Sequence, residues 1–319
     1  MKNGFYRPYQ KSKIKGVIDD KGQLVGWHQK IASQAIAKKG HDMVELEVGG
    51  VSPAVTDPYL KAGGGSFYNM PFDFFSVSNT MFNAPYAIPN IHVETIEMEA
   101  PARPTYWRSV GQTINTWQLE SALDELAAAA KIDPIQFRRA LLRAHPRAQK
   151  VFDEFVAMTG WKYPQTPVTS GDTKTAWGMA FAYSFNAYGA LGVQVAATGK
   201  KLAVKRVVAV SDVGVVVNPN GLESQMQGGI IDGLATAFLQ QITLKDGRVQ
   251  QNNWSDYPTF RLKDAPQVDI KLIVSGETPV GSMSEFCTPL IIPAFVNAVY
   301  AATGTRVHEL PLTKAGFAI

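Results

Sequence analysis

Apolar and polar positions alternate with two different periods along the chain, and each period predicts a different kind of element. From Tyr6 to Gln34, basic and apolar residues alternate on either side of Asp19-Asp20-Lys21-Gly22, which predicts a β-hairpin with its turn at that tetrapeptide. A further strand is predicted from about Ile91 to Glu99. From about Trp117 to Lys131, leucine and alanine recur on one face at helical spacing, which predicts an amphipathic helix.

Two proline-containing pairs predict the starts of two more helices. Asp133-Pro134 caps one of them, and His145-Pro146 begins another that ends at Gly160. The Pro-, Thr-, Ser- and Gly-rich stretch from Pro164 to Thr175 then predicts a boundary between two lobes. We therefore expect a first lobe over residues 1–165, with the hairpin, a long loop and three helices, and a second lobe over 166–319.

The second lobe mixes strands and helices without a regular repeat. Strand-like runs span Leu191 to Ala197 and Leu202 to Val217, and a helix is predicted from about Leu222 to Leu239. A last helix is predicted from Pro293 to Thr303, with Gly304 as its C-terminal cap. The predicted fold class is α+β, built as two mixed α/β lobes.

Composition narrows the function classes. The 319 residues are 45% hydrophobic and 18% charged, and the net charge is only +4, so a nucleic-acid surface gains no support. The single cysteine, Cys287, excludes a disulfide, a four-cysteine iron–sulfur site or a cysteine-built zinc site within the chain. The five histidines show no metal-binding spacing, so no protein-built metal site is expected. The sequence contains no export signal and no apolar run of membrane-spanning length.

Residues 49–83 are rich in glycine, proline and aromatic residues, and they predict a long ordered loop. Gly63-Gly64-Gly65-Ser66 lies within it, but no strand precedes and no helix follows, so phosphate binding is disfavoured. Loop flexibility, or docking of a partner through five aromatic residues, is preferred. These residues are Phe67, Tyr68, Phe72, Phe74 and Phe75.

Glu285 is the candidate general base, because it stands in a loop immediately before the last helix. Apolar neighbours at Met283, Phe286 and Leu290 would remove water from the carboxylate and raise its pKa toward the range of a base. The alternative is a solvated loop acid. Cys287 as a nucleophile of the nicotinamide-dependent kind is disfavoured, because no dinucleotide fingerprint follows a strand.

Two further segments carry candidate chemistry. In Trp107-Arg108-Ser109-Val110-Gly111, the planar guanidinium would bind an oxyanion or a cofactor oxygen, and the alternative is a surface arginine beside a packing tryptophan. The predicted helix around Gly228 and Gly229 also includes Gly233, and each glycine costs about 1 kcal/mol relative to alanine. Something must approach that helix closely, either a neighbouring helix or a ligand.

The run from Met283 to Pro293 resembles the Gly-Glu-Pro-Gly-Thr-Pro-Pro-Ile-Ala-Pro-Ala loop of the xanthine oxidase family of molybdenum hydroxylases. Ser284, Phe286 and Cys287 stand where that loop has Gly, Pro and Gly, whereas the glutamate is retained. Three other stretches resemble the branch containing isoquinoline 1-oxidoreductase and membrane-bound aldehyde dehydrogenase. They are Pro85 to Ala127, Asp212 to Leu234, and Gln250 to Pro258.

This resemblance implies two lobes like the molybdenum-cofactor-binding domains of aldehyde oxidase and xanthine dehydrogenase. It implies that Glu285 is the catalytic base, that Trp107 and Phe286 line the substrate pocket, and that the pterin rather than any side chain holds the molybdenum. The expected cofactor is molybdopterin, in the cytosine dinucleotide form, without an iron–sulfur cluster or haem in this chain. The implied cofactor-binding residues are Arg108, Ser109, Val110, Gly111, Gln225, Gly228 and Gly229.

The resemblance also implies an activity and partners. The activity is oxidation of an aldehyde to a carboxylic acid with oxygen from water, or else hydroxylation of an N-heterocycle such as isoquinoline. Electrons would pass to a two-cluster [2Fe-2S] subunit and a membrane cytochrome c subunit, in the periplasm or at the periplasmic face of the inner membrane, with the cytoplasm as the alternative. The family's upstream Gly-Gly-Gly-Phe-Gly-Arg and Gly-Gln-Gly motifs are absent, so the chain resembles a C-terminal half that requires its N-terminal half. The remaining alternative is a non-catalytic fragment with no cofactor of its own.

Overall fold

The computed structural model of the chain describes residues 4–34, 86–98, 102, 104–105, 107–142, 145–184, 186–277 and 280–319. The predicted long loop, with its glycine run and its aromatic residues, lies outside the described residues. Within the described ranges, the chain forms two compact units that divide between His145 and Pro146. None of the described helices combines the length and the hydropathy of a membrane span.

The N-terminal unit confirms the predicted hairpin. Strands β1 (Gln10–Ile18) and β2 (Leu24–Ser33) are antiparallel, and β3 (Asn90–Glu97) pairs with β2 in parallel. Helix α1 (Gln112–Ala130) begins earlier than the predicted Trp117. It packs against β1, and the side chain of Gln118 accepts hydrogen bonds from Ser12 Oγ at 2.7 Å and Gln10 Nε2 at 3.0 Å.

Helix α2 (Pro134–Leu141) starts as the Asp133-Pro134 pair predicts, because Asp133 Oδ1 accepts a 2.8 Å hydrogen bond from the Ile135 N–H. It carries Arg138, whose side chain is fully buried together with that of Glu120 on α1. The Arg138 Nε donates to Glu120 Oε2 at 2.8 Å, and the Tyr86 hydroxyl donates to Glu120 Oε1 at 2.8 Å. This buried ionic cluster joins α1, α2 and the segment before β3.

The C-terminal unit is built around a five-stranded sheet in the order β10-β7-β6-β5-β4. Strand β10 is parallel to β7, and the remaining neighbours are antiparallel. A two-stranded ladder, β8 with β9, stands apart. The strands are β4 (Val168–Ser170), β5 (Thr173–Ser184), β6 (Ala187–Thr198), β7 (Lys201–Asp212), β8 (Leu244–Lys245), β9 (Arg248–Val249) and β10 (Gln267–Ile273).

Helices cover both faces of this sheet. The helices are α3 (Pro146–Thr159), α4 (Pro219–Phe238) and α5 (Cys287–Thr303). A Cβ added to Gly178 on β5 would lie 2.0 Å from the backbone nitrogen of Ala298 on α5, whereas one added to Gly192 on β6 would lie 2.7 Å from the Phe155 ring on α3. Because both faces are covered, the second half of β5 is buried at every position rather than at alternate ones.

The third helix therefore packs differently from the expected three-helix segment. Its apolar side chains pack onto β6 and β7, and the rings of Phe152 and Phe181 stack with centroids 4.6 Å apart. The compact units consequently divide before α3, whereas the predicted lobe boundary at 165/166 lies after it.

The last helix is longer than predicted. Helix α5 begins at Cys287 instead of Pro293, and Pro293 lies inside it. Gly304 ends the helix as predicted, in the left-handed conformation (φ 75°), with its N–H donating to Tyr300 O at 2.7 Å.

Candidate functional site

Glu285 lies in the turn that leads directly into α5. The carboxylate side chain is partly exposed, while its three apolar neighbours are buried: Met283 is 1% exposed, Phe286 2% and Leu290 1%. The backbone at Glu285 is therefore attached to the core through Met283 and Phe286, while Glu285 itself is partly exposed. Its role as a base stays a prediction.

The side chains that flank Glu285 bind the turn to the central sheet. The Ser211 hydroxyl, at the end of β7, donates to the sulfur of Met283 at 3.2 Å. A Cβ added to Gly189 on β6 would lie 2.3 Å from Cε1 of Phe286, so the ring occupies the space that this glycine leaves. Phe286 is thus a core residue of the C-terminal unit, and the expected place in a substrate pocket stays a prediction.

The start of α5 packs closely against the middle of α4. The Thr288 hydroxyl donates to Gly229 O at 3.2 Å, and a Cβ on Gly229 would lie 3.2 Å from the Cβ of Cys287. A Cβ on Gly233 would lie only 2.2 Å from Cγ2 of Ile291. A neighbouring helix is therefore sufficient to explain the glycines at 229 and 233, and a cofactor role for Gly229 stays a prediction.

Most residues in the first half of α4 are exposed. Gln225 and Gly228 are exposed there, and Asn218 caps the helix by accepting a 3.0 Å hydrogen bond from the Gly221 N–H. Gln225 lies one helical turn before Gly229, and Glu285 lies two residues before Cys287. The α4–α5 contact therefore brings the turns that carry Gln225 and Glu285 to one corner of the C-terminal unit.

The segment 107–111 forms a tight turn in the N-terminal unit, just before α1. Ser109 and Val110 have positive φ angles of 72° and 50°, and such a conformation is unfavourable for a β-branched residue. The turn is held by the Thr113 hydroxyl, which donates to Arg108 O at 2.7 Å, and the guanidinium of Arg7 lies 5.4 Å from the centre of the Trp107 ring. Strained backbone of this kind is concentrated at functional sites.

These groups fit a pterin cofactor in their chemistry. Gln225 has an exposed amide that both donates and accepts hydrogen bonds, and Arg108 has a partly exposed guanidinium beside a strained turn. Molybdopterin offers the ring amide of its pterin and a phosphate on its side chain, and both bind to such partners. The Arg108 turn lies in the N-terminal unit and Gln225 in the C-terminal unit.

Three potential metal ligands also come together on the N-terminal sheet, which histidine spacing did not predict. His28 and His92 are direct neighbours across β2 and β3, and their Nε2 atoms lie 2.7 and 3.3 Å from Glu94 Oε1. Lys30 Nζ lies 3.0 Å from Glu94 Oε2, and Lys13 is opposite Lys30. Since the ammonium group of Lys30 already neutralises the carboxylate, the cluster is better described as an ion-pair network.

Sequence patterns did not reveal what supports the Glu285 turn. Arg147 on α3 forms an ion pair with Asp212 at the end of β7, with Nη2 to Oδ1 at 2.9 Å. Asp212 stands in a recognisable Asp-Val-Gly run, but Arg147 has no local signature, because its partner is distant in the chain. Thr288 likewise has no recognisable sequence motif, and its role becomes evident only from the packing of α5 on α4.

Residues 112–266 match the molybdopterin cofactor-binding domain family. The chain is 30% identical over 232 residues to isoquinoline 1-oxidoreductase subunit beta of Brevundimonas diminuta, which covers 72% of this chain and 29% of that protein. It is 25% identical over 308 residues to the membrane-bound aldehyde dehydrogenase [pyrroloquinoline-quinone] of Gluconacetobacter polyoxogenes, which covers 91% of this chain and 36% of that protein. These matches confirm the resemblance to the molybdenum hydroxylase family.

The fold of the chain agrees with that of solved oxidoreductases. Quinoline 2-oxidoreductase from Pseudomonas putida 86 superimposes with a TM-score of 0.74 at 12% identity, over 95% of this chain and 61% of that one. The predicted α+β class, with mixed lobes like those of molybdenum hydroxylase large subunits, is thereby confirmed. This chain spans 29% of the length of the isoquinoline 1-oxidoreductase subunit and 36% of the length of the aldehyde dehydrogenase.

Proposed function

We propose that this chain provides the general base and part of the pterin-binding surface of a molybdopterin-dependent hydroxylase. The reaction is oxidation of an aldehyde to a carboxylic acid, with the added oxygen drawn from water. The observation that carries the proposal is the placement of Glu285, a partly exposed carboxylate on a turn whose two flanking side chains are buried in the core.

Glu285 acts as a proton acceptor. A carboxylate oxygen of Glu285 takes the proton from the water-derived nucleophile as its oxygen bonds to the substrate carbon. Molybdopterin, when bound, supplies the two-electron acceptor that lets this oxidation proceed. The rigid attachment of the turn through Met283 and Phe286 fixes the carboxylate relative to the sheet, which favours a repeatable geometry of attack.

Gln225 and Arg108 orient the cofactor or the substrate and do not take part in the proton transfer. The amide of Gln225 hydrogen-bonds the pterin or a substrate oxygen from the exposed face of α4, with Gly228 giving close access on the same helix. The guanidinium of Arg108 binds an oxyanion from the strained turn before α1, whose Ser109, Val110 and Gly111 backbone groups face the cofactor. The expected cofactor is the cytosine dinucleotide form.

Hydroxylation of an N-heterocycle is the second candidate. The higher identity to isoquinoline 1-oxidoreductase subunit beta, 30% against 25% for the aldehyde dehydrogenase, favours it. Both reactions present an electron-poor carbon to the same water-derived oxygen, so Glu285 has the same task in each. Assays of the assembled enzyme with aliphatic aldehydes and with isoquinoline distinguish the two, and ¹⁸O-labelled water traces the inserted oxygen in either product.

The electrons leave through other subunits. The chain has one cysteine, Cys287, and it is buried at the start of α5, so it does not provide the four thiolates of an iron–sulfur cluster. We assign electron transfer to a two-cluster [2Fe-2S] subunit and a cytochrome c subunit, in a periplasmic complex that also contains the N-terminal half of the large subunit. The relative from Brevundimonas diminuta is itself named as a subunit, subunit beta of isoquinoline 1-oxidoreductase.

Replacing Glu285 with glutamine tests the assignment of the base. In the assembled, molybdenum-loaded complex, Glu285→Gln should lower kcat by about 10²–10⁴, because general-base catalysis contributes that much. Glu309→Gln is the matched control, since its side chain is 72% exposed and forms an ion pair with Lys314 at the surface. Turnover by Glu285→Gln within about tenfold of wild type, at equal molybdenum content, would eliminate Glu285 as the base.

Metal analysis tests the enzyme against the non-catalytic alternative. Molybdenum and pterin are measured on the chain alone and after co-expression with its genomic neighbours. Near-stoichiometric metal in the co-purified complex supports the hydroxylase. Absence of both from a folded complex would favour a fragment without a cofactor.

A further inference from the structure

The segment 280–286, which carries Glu285, is bound to the residue after β7 by a backbone hydrogen bond and to the β5–β6 turn by a side-chain hydrogen bond. The Gly281 N–H donates to Val213 O at 2.7 Å, directly after the last residue of β7. The Asn186 side-chain amide donates to Val280 O at 3.3 Å from the turn between β5 and β6. The position of Glu285 therefore depends on two neighbouring turns, one at Val213 and the other at Asn186.

The close fit of Gly281 strengthens this dependence. A Cβ added to Gly281 would lie 2.9 Å from both the carbonyl carbon and the oxygen of Asn186. Asn186 itself has a positive φ of 64°, which is uncommon for a residue other than glycine. The segment thus contacts the Asn186 turn at van der Waals distance, and any movement of that turn is transmitted to it.

One ion pair holds both turns. Arg147 on α3 donates from Nε to Asp212 Oδ2 at 3.0 Å and from Nη2 to Oδ1 at 2.9 Å, in the bidentate geometry that fixes both side chains. The same Nη2 also donates to the backbone carbonyls of Asp212 at 3.2 Å and Asn186 at 3.4 Å. Its guanidinium lies over the ring of Tyr188, 4.9 Å from the centroid.

Asp212 passes this constraint to the backbone after β7. Its Oδ1 accepts from the Gly214 N–H at 2.8 Å and from the Ser275 hydroxyl at 2.7 Å, which fixes the Val213 peptide that receives Gly281. The Asp212 side chain is 1% exposed. Burial alone would raise the pKa of Asp212, but the hydrogen bonds from Arg147, Ser275 and Gly214 outweigh burial and lower the pKa, so the carboxylate is charged at neutral pH.

We propose that Arg147 and Asp212 are positioning residues, whose ion pair fixes the turns at Val213 and Asn186 and thereby the catalytic placement of Glu285. This inference rests on the proposed role of Glu285 as the base. Neither Arg147 nor Asp212 contacts substrate or cofactor in this role. They act through the backbone of the segment 280–286.

The test uses the assembled complex and two independent readouts. The first is amide hydrogen exchange at Gly214 and Gly281, whose N–H groups donate within this network. The second is steady-state kinetics at measured molybdenum content. Arg147→Met should raise exchange at both amides by at least tenfold and lower kcat by about 10²-fold with little change in KM, because a misplacement of about 1 Å costs about that much.

Conservative variants keep the proposal testable if Arg147→Met does not fold. Arg147→Lys retains the charge without the bidentate fork, so it should give a smaller loss of kcat and a smaller rise in exchange. Ser275→Ala removes only one hydrogen bond to Asp212, and it should lower kcat severalfold. A graded order, with Ser275→Ala and Arg147→Lys less affected than Arg147→Met, is the expected result.

Arg206→Met is the matched control. Arg206 pairs with Asp269 between β7 and β10 in the same sheet, but these side chains are 34% and 27% exposed and neither bonds the segment 280–286. It should leave exchange at Gly281 and kcat unchanged. An equal loss of kcat in Arg206→Met and Arg147→Met would overturn the proposal, as would wild-type exchange and kcat in Arg147→Met.

The outcomes also separate this inference from the proposed function. If Glu285→Gln retains turnover but Arg147→Met raises exchange at Gly281, the role of Glu285 as base fails while the structural link stands. If Glu285→Gln is inactive but Arg147→Met is normal in kcat and exchange, the base assignment stands and the positioning role fails.

Discussion

Removing the guanidinium of Arg138 should destabilise the N-terminal unit more than any surface substitution. Arg138 and Glu120 are both completely buried, and Arg138 also donates to the backbone carbonyls of Glu120 at 2.8 Å and Pro134 at 3.1 Å. Burial alone would lower the pKa of Arg138, but the interactions with Glu120, Tyr86 and Asp124 together outweigh burial, and the pKa is raised. Burial, followed by the negative charge of Glu120, raises the pKa of Tyr86 well above its ordinary value.

The expected magnitude follows from what the substitution leaves behind. Arg138→Met leaves the carboxylate of Glu120 buried without a cation, and breaking a buried pair in this way costs about 3–5 kcal/mol. Glu120→Gln should cost a similar amount, because it leaves Arg138 buried and unpaired in charge. The double variant removes both charges and keeps an acceptor for the Tyr86 hydroxyl, so its cost should lie well below the sum of the two single costs.

Hydrogen exchange of the α1 amides near Glu120 measures these costs in the unit concerned, so the two units need not unfold together. A loss of about 3–5 kcal/mol corresponds to exchange faster by roughly a hundredfold to several thousandfold. Lys30→Met serves as the control in the same unit, because its ion pair with Glu94 is exposed and contributes little. Additive costs in the double variant, or a cost for Arg138→Met no larger than for Lys30→Met, would refute the reasoning.

Two further predictions concern packing and charge. Gly233→Ala should destabilise the C-terminal unit by about 1–3 kcal/mol in urea unfolding, because its new Cβ meets Ile291 Cγ2 at 2.2 Å, and a neutral or stabilising effect would contradict the described contact. Hydrogen bonds from His28 and then Lys30 lower the pKa of Glu94 to about 2, which NMR titration should detect. Because the folded pKa lies below the unfolded one, the stability that Glu94 contributes is present above about pH 4.5 and is lost as pH falls toward 2, and titration near 4.5 would contradict the described ion pairs.

The elements with one regular period and a local end signal were the most predictable from sequence. The hairpin follows from strict alternation around Asp19–Gly22, and the start of α2 follows from the Asp133 cap. The start of α5 was less predictable, because Pro293 reads as a helix beginning although the helix starts at Cys287. Pro293 removes one intrahelical hydrogen bond at a cost of about 3 kcal/mol, and the helix tolerates it because nearly all of its residues are buried in the core.

The assignment of α3 shows where local pattern is insufficient. Its apolar face, which includes Phe152 and Phe155, is equally suitable for packing on another helix or on a sheet. Packing on the sheet is favoured by Gly192 on β6, because its missing side chain leaves room for the Phe155 ring of α3. That complementarity joins positions far apart in the chain, and neither position identifies the other in the sequence.

The same distinction separates the candidate site from its supports. Glu285 was recognisable because its neighbours in sequence are also its neighbours in space, on a turn between a loop and α5. Arg147 was not recognisable from the sequence, because its role depends on an ion pair with Asp212. That pair forms only when α3 packs on the sheet. Residues that react can therefore be proposed from contiguous motifs, whereas residues that position them require the fold.

The glycines of α4 illustrate how the structure divides one sequence signal into two causes. Gly229 and Gly233 face α5, and contacts with Thr288 and Ile291 require that they lack side chains, whether or not a cofactor binds. Gly228 lies on the exposed face, so packing of α5 does not require it. A helical glycine costs about 1 kcal/mol relative to alanine, and packing of α5 explains that cost at Gly229 and Gly233 but not at Gly228. The glycine signal at Gly228 therefore has a cause other than α5 packing, and its contact with the cofactor stays a prediction.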